Sequence, residues 1–181
     1  DVTSDLRYRA KAVNFGIVYG ISDFGLSRDL NIPRKEAKEY IENYFKNFQM
    51  VKKYMEDIVS EGKKNGYVET ILHRRRYIPE LNSKNYNVRS FGERIALNTP
   101  IQGSAADIIK MSMVRVYNDL RDRNLRSRLI LTVHDELILE VHKDEIDEVN
   151  KLVKNIMENA ISLTIPLKVD FKIGDSWYDT K

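Results

Sequence analysis

Along the first half of the chain, apolar residues recur at spacings of three and four rather than two, which predicts helices. At about 100° per residue, Leu6, Ala10, Val13 and Ile17 fall within one narrow arc. They predict a helix from a Thr3 or Ser4 N-cap to about Val18, with that arc facing the core. Tyr19-Gly20 ends it, Gly20 being suited to a left-handed C-cap. Ser22 can cap a short helix through Leu30. Pro33 opens a long one at its first turn, where a missing N–H costs nothing. Its apolar stripe is Tyr40, Ile41, Tyr44, Phe45 and Phe48. The pattern runs to about Glu61 with a bend near Asn47, and Gly62 and Gly66 break it.

Beyond Gly66 the pattern shortens. Tyr67 to Pro79 reads as a hairpin carrying His73-Arg74-Arg75-Arg76, and Asn82 to Asn87 as a loop. Helices are expected over Val88–Asn98 and Ile101–Arg123, separated at Pro100. Arg128–Val133 and Leu137–Val141 read as strands around the corner His134-Asp135-Glu136. A charged amphipathic helix, Asp144 to Ala160, is expected to be purely structural. Leu167 to Ile173 alternates with period two, as a last strand would. The fold class expected is helix-rich α+β, a helical N-terminal half with a small antiparallel sheet and helices against it. The expected division is 1–86 and 87–181.

Composition narrows the chemistry. At 181 residues and 42% hydrophobic the chain can bury a core. Its 30 Lys+Arg against 27 Asp+Glu exclude a long tail of one sign, and a net +3 tolerates an anionic partner. With no cysteine, disulfide frameworks, thiolate catalysis and Cys-ligated metals are excluded. No apolar run is long enough to span a membrane, and the N-terminus is neither a signal nor a transit peptide. The absence of a starting Met suggests a piece of something longer.

The first helix carries a second stripe, Arg7, Lys11, Phe15 and Tyr19, spaced by four. The order is cation, cation, aromatic, aromatic, over about 18 Å. It suits a ligand with a polyanionic end and a flat end, as a nucleoside triphosphate has. Arg7 and Lys11 would hold phosphate oxygens, and Phe15 and Tyr19 would meet sugar and base. The same spacing describes a helix packed on two sides, with Phe15 and Tyr19 in a second core; periodicity alone does not choose.

The spacing Arg-x3-Lys-x7-Tyr-Gly does more. Arg9-Ala10-Lys11-Ala12-Val13-Asn14-Phe15-Gly16-Ile17-Val18-Tyr19-Gly20 resembles motif B, the nucleotide-binding fingers helix of A-family DNA polymerases of the bacterial type. Tyr8 departs from it where many members have Arg, but lies beside the stripe.

Val133-His134-Asp135-Glu136 places a carboxylate at a strand corner, which by itself is also an ordinary polar turn. It resembles the family's motif C and follows motif B at the expected distance. The resemblance implies that Asp135 is a catalytic carboxylate binding metal, that Glu136 lies beside the metals with a lesser role, and that His134 is near the primer end. It implies two Mg²⁺, one of whose carboxylate ligands is missing from this chain. Mg²⁺ takes hard oxygen ligands, and a pair of such ions can activate an attacking oxygen and stabilise a leaving one. Thr132 stands where Gln is common, which leaves any contact of that Gln open.

Arg94, Asn98 and Gln102 recur every four residues. Asn and Gln can read minor-groove acceptors without strong base preference, although a polar helix face has the same pattern. Their segment resembles the family's primer–template contact region, with Ser104 where Thr is commoner. The hairpin also resembles the family, with His73 where Gly is frequent. Arg74, Arg75 and Arg76 are candidates for phosphate contact, a solvated run being the alternative. Trp177 resembles the family's C-terminal end, with a closing packing role.

The resemblance covers the whole chain. It implies part of the fingers (1–86) and part of the palm (87–181) of a template-directed DNA polymerase. In such an enzyme a primer 3′-hydroxyl attacks the α-phosphate of a dNTP and pyrophosphate leaves, with Lys11 as a further catalytic residue. The implied partners are primer–template DNA, dNTP and the remainder of the polymerase chain; no membrane is involved. The implied location is the bacterial cytoplasm, with an organellar one left open. The family's second catalytic aspartate, in an Asp-Tyr-Ser-Gln-like strand upstream of motif B, has no counterpart here, so the isolated chain is expected to be inactive. Two alternatives stand beside this reading. One is a single-subunit RNA polymerase relative, against which Glu136 and Asn14-Phe15-Gly16 count. The other is a non-catalytic DNA-binding fragment.

Overall fold

Helix α1 (Ser4–Val18) starts where a hydroxyl is at hand: Thr3 Oγ1 accepts from the Leu6 amide at 3.3 Å. It ends at Gly20, with φ +71°, the left-handed conformation anticipated there. Ser22 caps α2 (Asp23–Leu30) through the Gly25 amide, and Asn31, also left-handed, closes it. Pro33 sits at the N-cap of α3 (Arg34–Asn47), one residue ahead of the first turn. The bend expected near Asn47 is a full break at Phe48, after which α4 (Gln49–Asn65) begins. The computed structural model describes residues 2–180, and packing divides the chain into two units, Asp1–Gly103 and Ser104–Lys181.

In the first unit, Gly62 does not end α4 as expected. It lies inside the helix, where an added Cβ would come within 3.0 Å of Leu81 Cδ1 and 3.2 Å of Val68 Cγ1. The stop is Gly66, at φ +79°. Strands β1 (Tyr67–Glu69) and β2 (Arg75–Tyr77) form the hairpin, paired Tyr67 to Tyr77. A 3-10 turn, Pro79–Asn82, leads toward α5 (Tyr86–Asp122). Val68, Ile78, Leu81 and Ala96 form one core cluster, with Ile58 and Ile95 against it.

The two helices expected around Pro100 are one, α5 running through the proline. A mid-helix proline costs about 3 kcal/mol or more, so tertiary packing holds this one. Gly92 presses on the 79–82 turn, where a Cβ would lie 2.9 Å from the Leu81 amide nitrogen. Thr99 Oγ1 donates to the Ile95 carbonyl at 2.7 Å, a back-bond that favours bending. The expected core face of α1 also needs correction. Ile17 is buried and Val13 half-buried, but Ala10 is exposed and Leu6 is 54% exposed. The covered side runs through Arg9, Val13, Gly16 and Ile17.

In the second unit, Val116 and Leu120 of α5 meet Val149, Leu152, Val153 and Ile156 of α6 (Ile146–Glu158). Strands β3 (Arg128–Val133) and β4 (Glu136–Glu140) form an antiparallel hairpin whose Leu137 and Leu139 pack on that core. A register shift between Leu129 and Leu131 leaves Ile130 as the extra residue of a bulge. Glu145 joins the ends of this layer, accepting from the Arg126 and Ser127 amides and, at 2.6 Å, from the Ser127 hydroxyl. Lys143–Glu145 form a 3-10 turn, so the helix expected from Asp144 starts at Ile146. Leu167–Ile173, expected as a last strand, is irregular. Its alternation is real, but a strand needs a ladder, and no described strand pairs with it. The fold is helix-rich α+β with two small antiparallel sheets.

Candidate active site

The α1 stripe is exposed along its length. Arg7 and Lys11 face solvent, and Phe15 is 51% exposed. The Lys11 Nζ lies 5.7 Å from the Phe15 ring centroid, within cation–π range. The Phe15 and Tyr19 rings are 6.1 Å apart and tilted by 37°. No second core covers them among the described residues. Arg9 is engaged instead, by Tyr40 and by Asp5 at 3.0 Å, contacts that raise its pKa. The helix thus holds one cation inward, while the Arg7 guanidinium forms no ion pair among the described residues.

Gly20 lies against α5: a Cβ there would be 3.3 Å from Arg94 Cγ and 3.2 Å from Leu97 Cδ1. Arg94 in turn lies over the Phe91 ring at 6.0 Å and donates to Ser90 Oγ at 3.1 Å. Phe91 is an exposed aromatic that sequence reasoning passed over. The available signal was its position three residues before Arg94 on the same helical face. Arg94, Asn98 and Gln102 follow one side of a continuous helix. Gln102 is exposed, and the Asn98 side-chain oxygen is buried without a hydrogen-bond partner.

The hairpin arginines have partners within the unit. Arg75 stacks over Tyr67 at 4.5 Å and pairs with Glu69 at 2.8 Å. That pair, together with His73, holds the Glu69 carboxyl below its usual pKa. Arg74 donates to the Gly103 carbonyl at 3.2 Å and Arg76 to Thr99 Oγ1 at 3.4 Å.

In the second unit, β3 and β4 close on a two-residue turn, His134-Asp135, flanked by the Val133–Glu136 pair. His134 has φ +53°, a conformation costing a non-glycine residue roughly 1–2 kcal/mol. Thr132 Oγ1 donates across the hairpin to the Glu136 carbonyl at 3.0 Å and ties the turn at its base. Asp135 and Glu136 are exposed carboxylates on a hairpin anchored through Leu137 and Leu139. Among the described residues, no group of three or more His, Cys, Asp or Glu is placed to hold a metal ion. No described helix is long and apolar enough to cross a membrane.

Comparison with known proteins gives this arrangement a family. The model of DNA polymerase family A matches residues 1–179. DNA polymerase I of Geobacillus stearothermophilus is 60% identical and that of Bacillus subtilis (strain 168) 61% identical, each over all 181 residues. The chain spans 21% of the length of either relative. The POL domain of Pol1 from M. smegmatis, solved in complex with DNA primer-template and dNTP, superposes with a TM-score of 0.96 at 48% identity. That match covers 99% of this chain and 32% of the other. On sequence and on fold alike, the chain belongs to DNA polymerase family A.

Proposed function

We propose that this segment works within a longer polymerase chain as part of a template-directed DNA polymerase, residues 1–86 belonging to the fingers and 87–181 to the palm. The observation that carries the reading is the uncovered Arg7–Lys11–Phe15–Tyr19 stripe, charged at one end and aromatic at the other. In this reading Arg7 and Lys11 bind the triphosphate of a dNTP, while Phe15 and Tyr19 flank its sugar and base. Preorganised cations stabilise charge that develops as the primer 3′-hydroxyl attacks the α-phosphate. Lys11 donates a proton to the leaving pyrophosphate. Arg94, Asn98 and Gln102 face the minor groove of the primer–template, and His134 lies near the primer end. The solved POL domain's bound primer-template and dNTP support this choice of ligands.

Asp135 and Glu136 offer hard oxygen donors on an anchored turn, which fits Mg²⁺. Such an ion is bound by one or two carboxylates plus substrate phosphates rather than by an all-protein cage. Asp135 would hold it, with Glu136 beside it; bound Mg²⁺ supplies Lewis-acid stabilisation of phosphoryl oxygens. Two ions would need a further carboxylate from elsewhere in the polymerase. The test is Asp135→Ala in the complete polymerase. Primer extension should be lost while primer–template affinity is kept, because the carboxylate places metal and does not grip DNA. Extension within about tenfold of the parent, a change of only 1.36 kcal/mol in the barrier, would overturn the assignment. A second reading applies to the 181 residues alone: a DNA-binding but non-catalytic segment. It rests on Asp135 and Glu136 lying together at one corner, so that a second ion would need a carboxylate from elsewhere in the polymerase.

A further inference from the structure

Three consecutive arginines at a hairpin suggest a phosphate grip, yet each, though exposed, also has a partner within the chain. Arg74 and Arg76 both reach one turn of α5, at the Gly103 carbonyl and Thr99 Oγ1. Between them Thr70, 4% exposed, accepts from the Arg74 amide at 3.2 Å. Its Cγ2 presses so closely on α5 that a Cβ on Gly103 would lie 2.6 Å away. Glycine is a poor helix former, so its use at 103 answers this close approach. The gripped turn contains Pro100, where α5 lacks a backbone donor. Asn98 precedes that turn by one residue and Gln102 lies within it.

We infer that the β1–β2 hairpin is a positioning element: Thr70, Arg74 and Arg76 fix the proline-weakened turn of α5 that presents Asn98 and Gln102, and do not neutralise DNA phosphates. The inference rests on the minor-groove role proposed for that stripe. With no N–H at Pro100, that turn of α5 lacks one internal backbone bond as a restraint. The hairpin, itself stiffened by the Arg75–Glu69 pair and the Tyr67–Tyr77 contact at 5.6 Å, supplies that restraint from outside.

The complete polymerase provides the test. Each phosphate contact contributes about 0.9 to the slope of log affinity against log salt. Arg74→Ala and Arg76→Ala should weaken primer–template binding at every salt concentration and leave the slope unchanged. A slope reduced by about 0.9 per arginine would overturn the inference. A primer-terminal 3-deazapurine, which lacks the minor-groove N3 acceptor, should slow extension by the parent. It should add no further loss in Arg76→Ala, where the groove contact is already misplaced; a full additional loss counts against us.

Gly103→Ala should weaken duplex binding, although alanine is the better helix former. Adding Thr70→Ser removes the colliding methyl, keeps the hydroxyl and should restore binding. Full affinity in Gly103→Ala, or no recovery in the double variant, overturns the inference even if the single variant folds poorly. Asn98→Ala and Gln102→Ala form a separate arm. If neither weakens duplex binding, the groove reading itself is wrong, and the hairpin inference falls with it. If they do and the hairpin variants do not behave as stated, only the hairpin inference falls.

Discussion

Lys11 and Arg9 lie two positions apart on α1 and have opposite surroundings. Arg9 is held by Asp5 and Tyr40, whereas Lys11 is exposed beside the Phe15 ring. Lys11→Ala removes one charge-assisted contact to phosphate, worth roughly 1.5–3 kcal/mol. In the complete polymerase kcat/KM for dNTP should therefore fall at least about tenfold. Steady-state kinetics read this directly, and a change under threefold would detach Lys11 from the triphosphate. Phe15 makes the second residue-level case. Its exposed ring sits where the sugar of a bound nucleotide is proposed, and it carries no hydroxyl. Phe15→Tyr should leave dNTP use nearly intact and make dideoxynucleotide incorporation much easier, because the phenol oxygen can replace the missing 3′-hydroxyl's hydrogen bond. The ratio of dNTP to ddNTP incorporation efficiencies is the measurement, and an unchanged ratio removes Phe15 from the sugar.

At the level of elements, the short-range features were legible. Thr3, Ser22 and Gly20 act where they stand, because a cap depends on residues within one turn. The hairpin corner at His134-Asp135 was legible for the same reason. Pro100 was not, since its local penalty is met by Gly92 and Thr99 and by a hairpin some thirty residues earlier in sequence. The contacts of the arginine run were not legible, because the partners of Arg74 and Arg76 are distant in the chain. Nor does alternation in Leu167–Ile173 say whether another strand is there to pair.

Glu145 supplies a pH prediction at this scale. The Ser127 hydroxyl first, and then the Arg126 amide, pull its carboxyl down to about 2. A lowered folded-state pKa stabilises above the unfolded value, near 4.3 for glutamate. That stabilisation is lost as pH falls from there toward about 2. Glu145→Gln should therefore melt below the parent at neutral pH, with the gap closing in acid. Thermal melts across that range test it; a gap independent of pH would mean the charge is not what matters.

For the whole molecule, the relevant fact is that 181 residues make up 21% of each relative's length. Purified alone, the chain should not extend a primer with dNTPs and Mg²⁺. Asp135 and Glu136 sit at one corner, and a second ion would need a further carboxylate from elsewhere in the polymerase. Processive incorporation by the highly purified chain would contradict this account.

The irregular segment at Leu167–Ile173 bears on how such a fragment behaves in a tube. Its sequence, Leu-Lys-Val-Asp-Phe-Lys-Ile, keeps the two-residue period of a strand, contains no proline and has no ladder partner among the described residues. Nearby in sequence, the β3–β4 ribbon has two edges and a bulge residue, Ile130, that is 51% exposed. A strand-competent segment and open edges in the same chain are a template for pairing between molecules. Lys168, Asp170 and Lys172 share one face of such a strand, so their charges largely cancel and set little repulsion between copies. The isolated chain should therefore behave as a colloid whose self-association rises with its own concentration, and dilute solution is the condition in which to keep it monomeric.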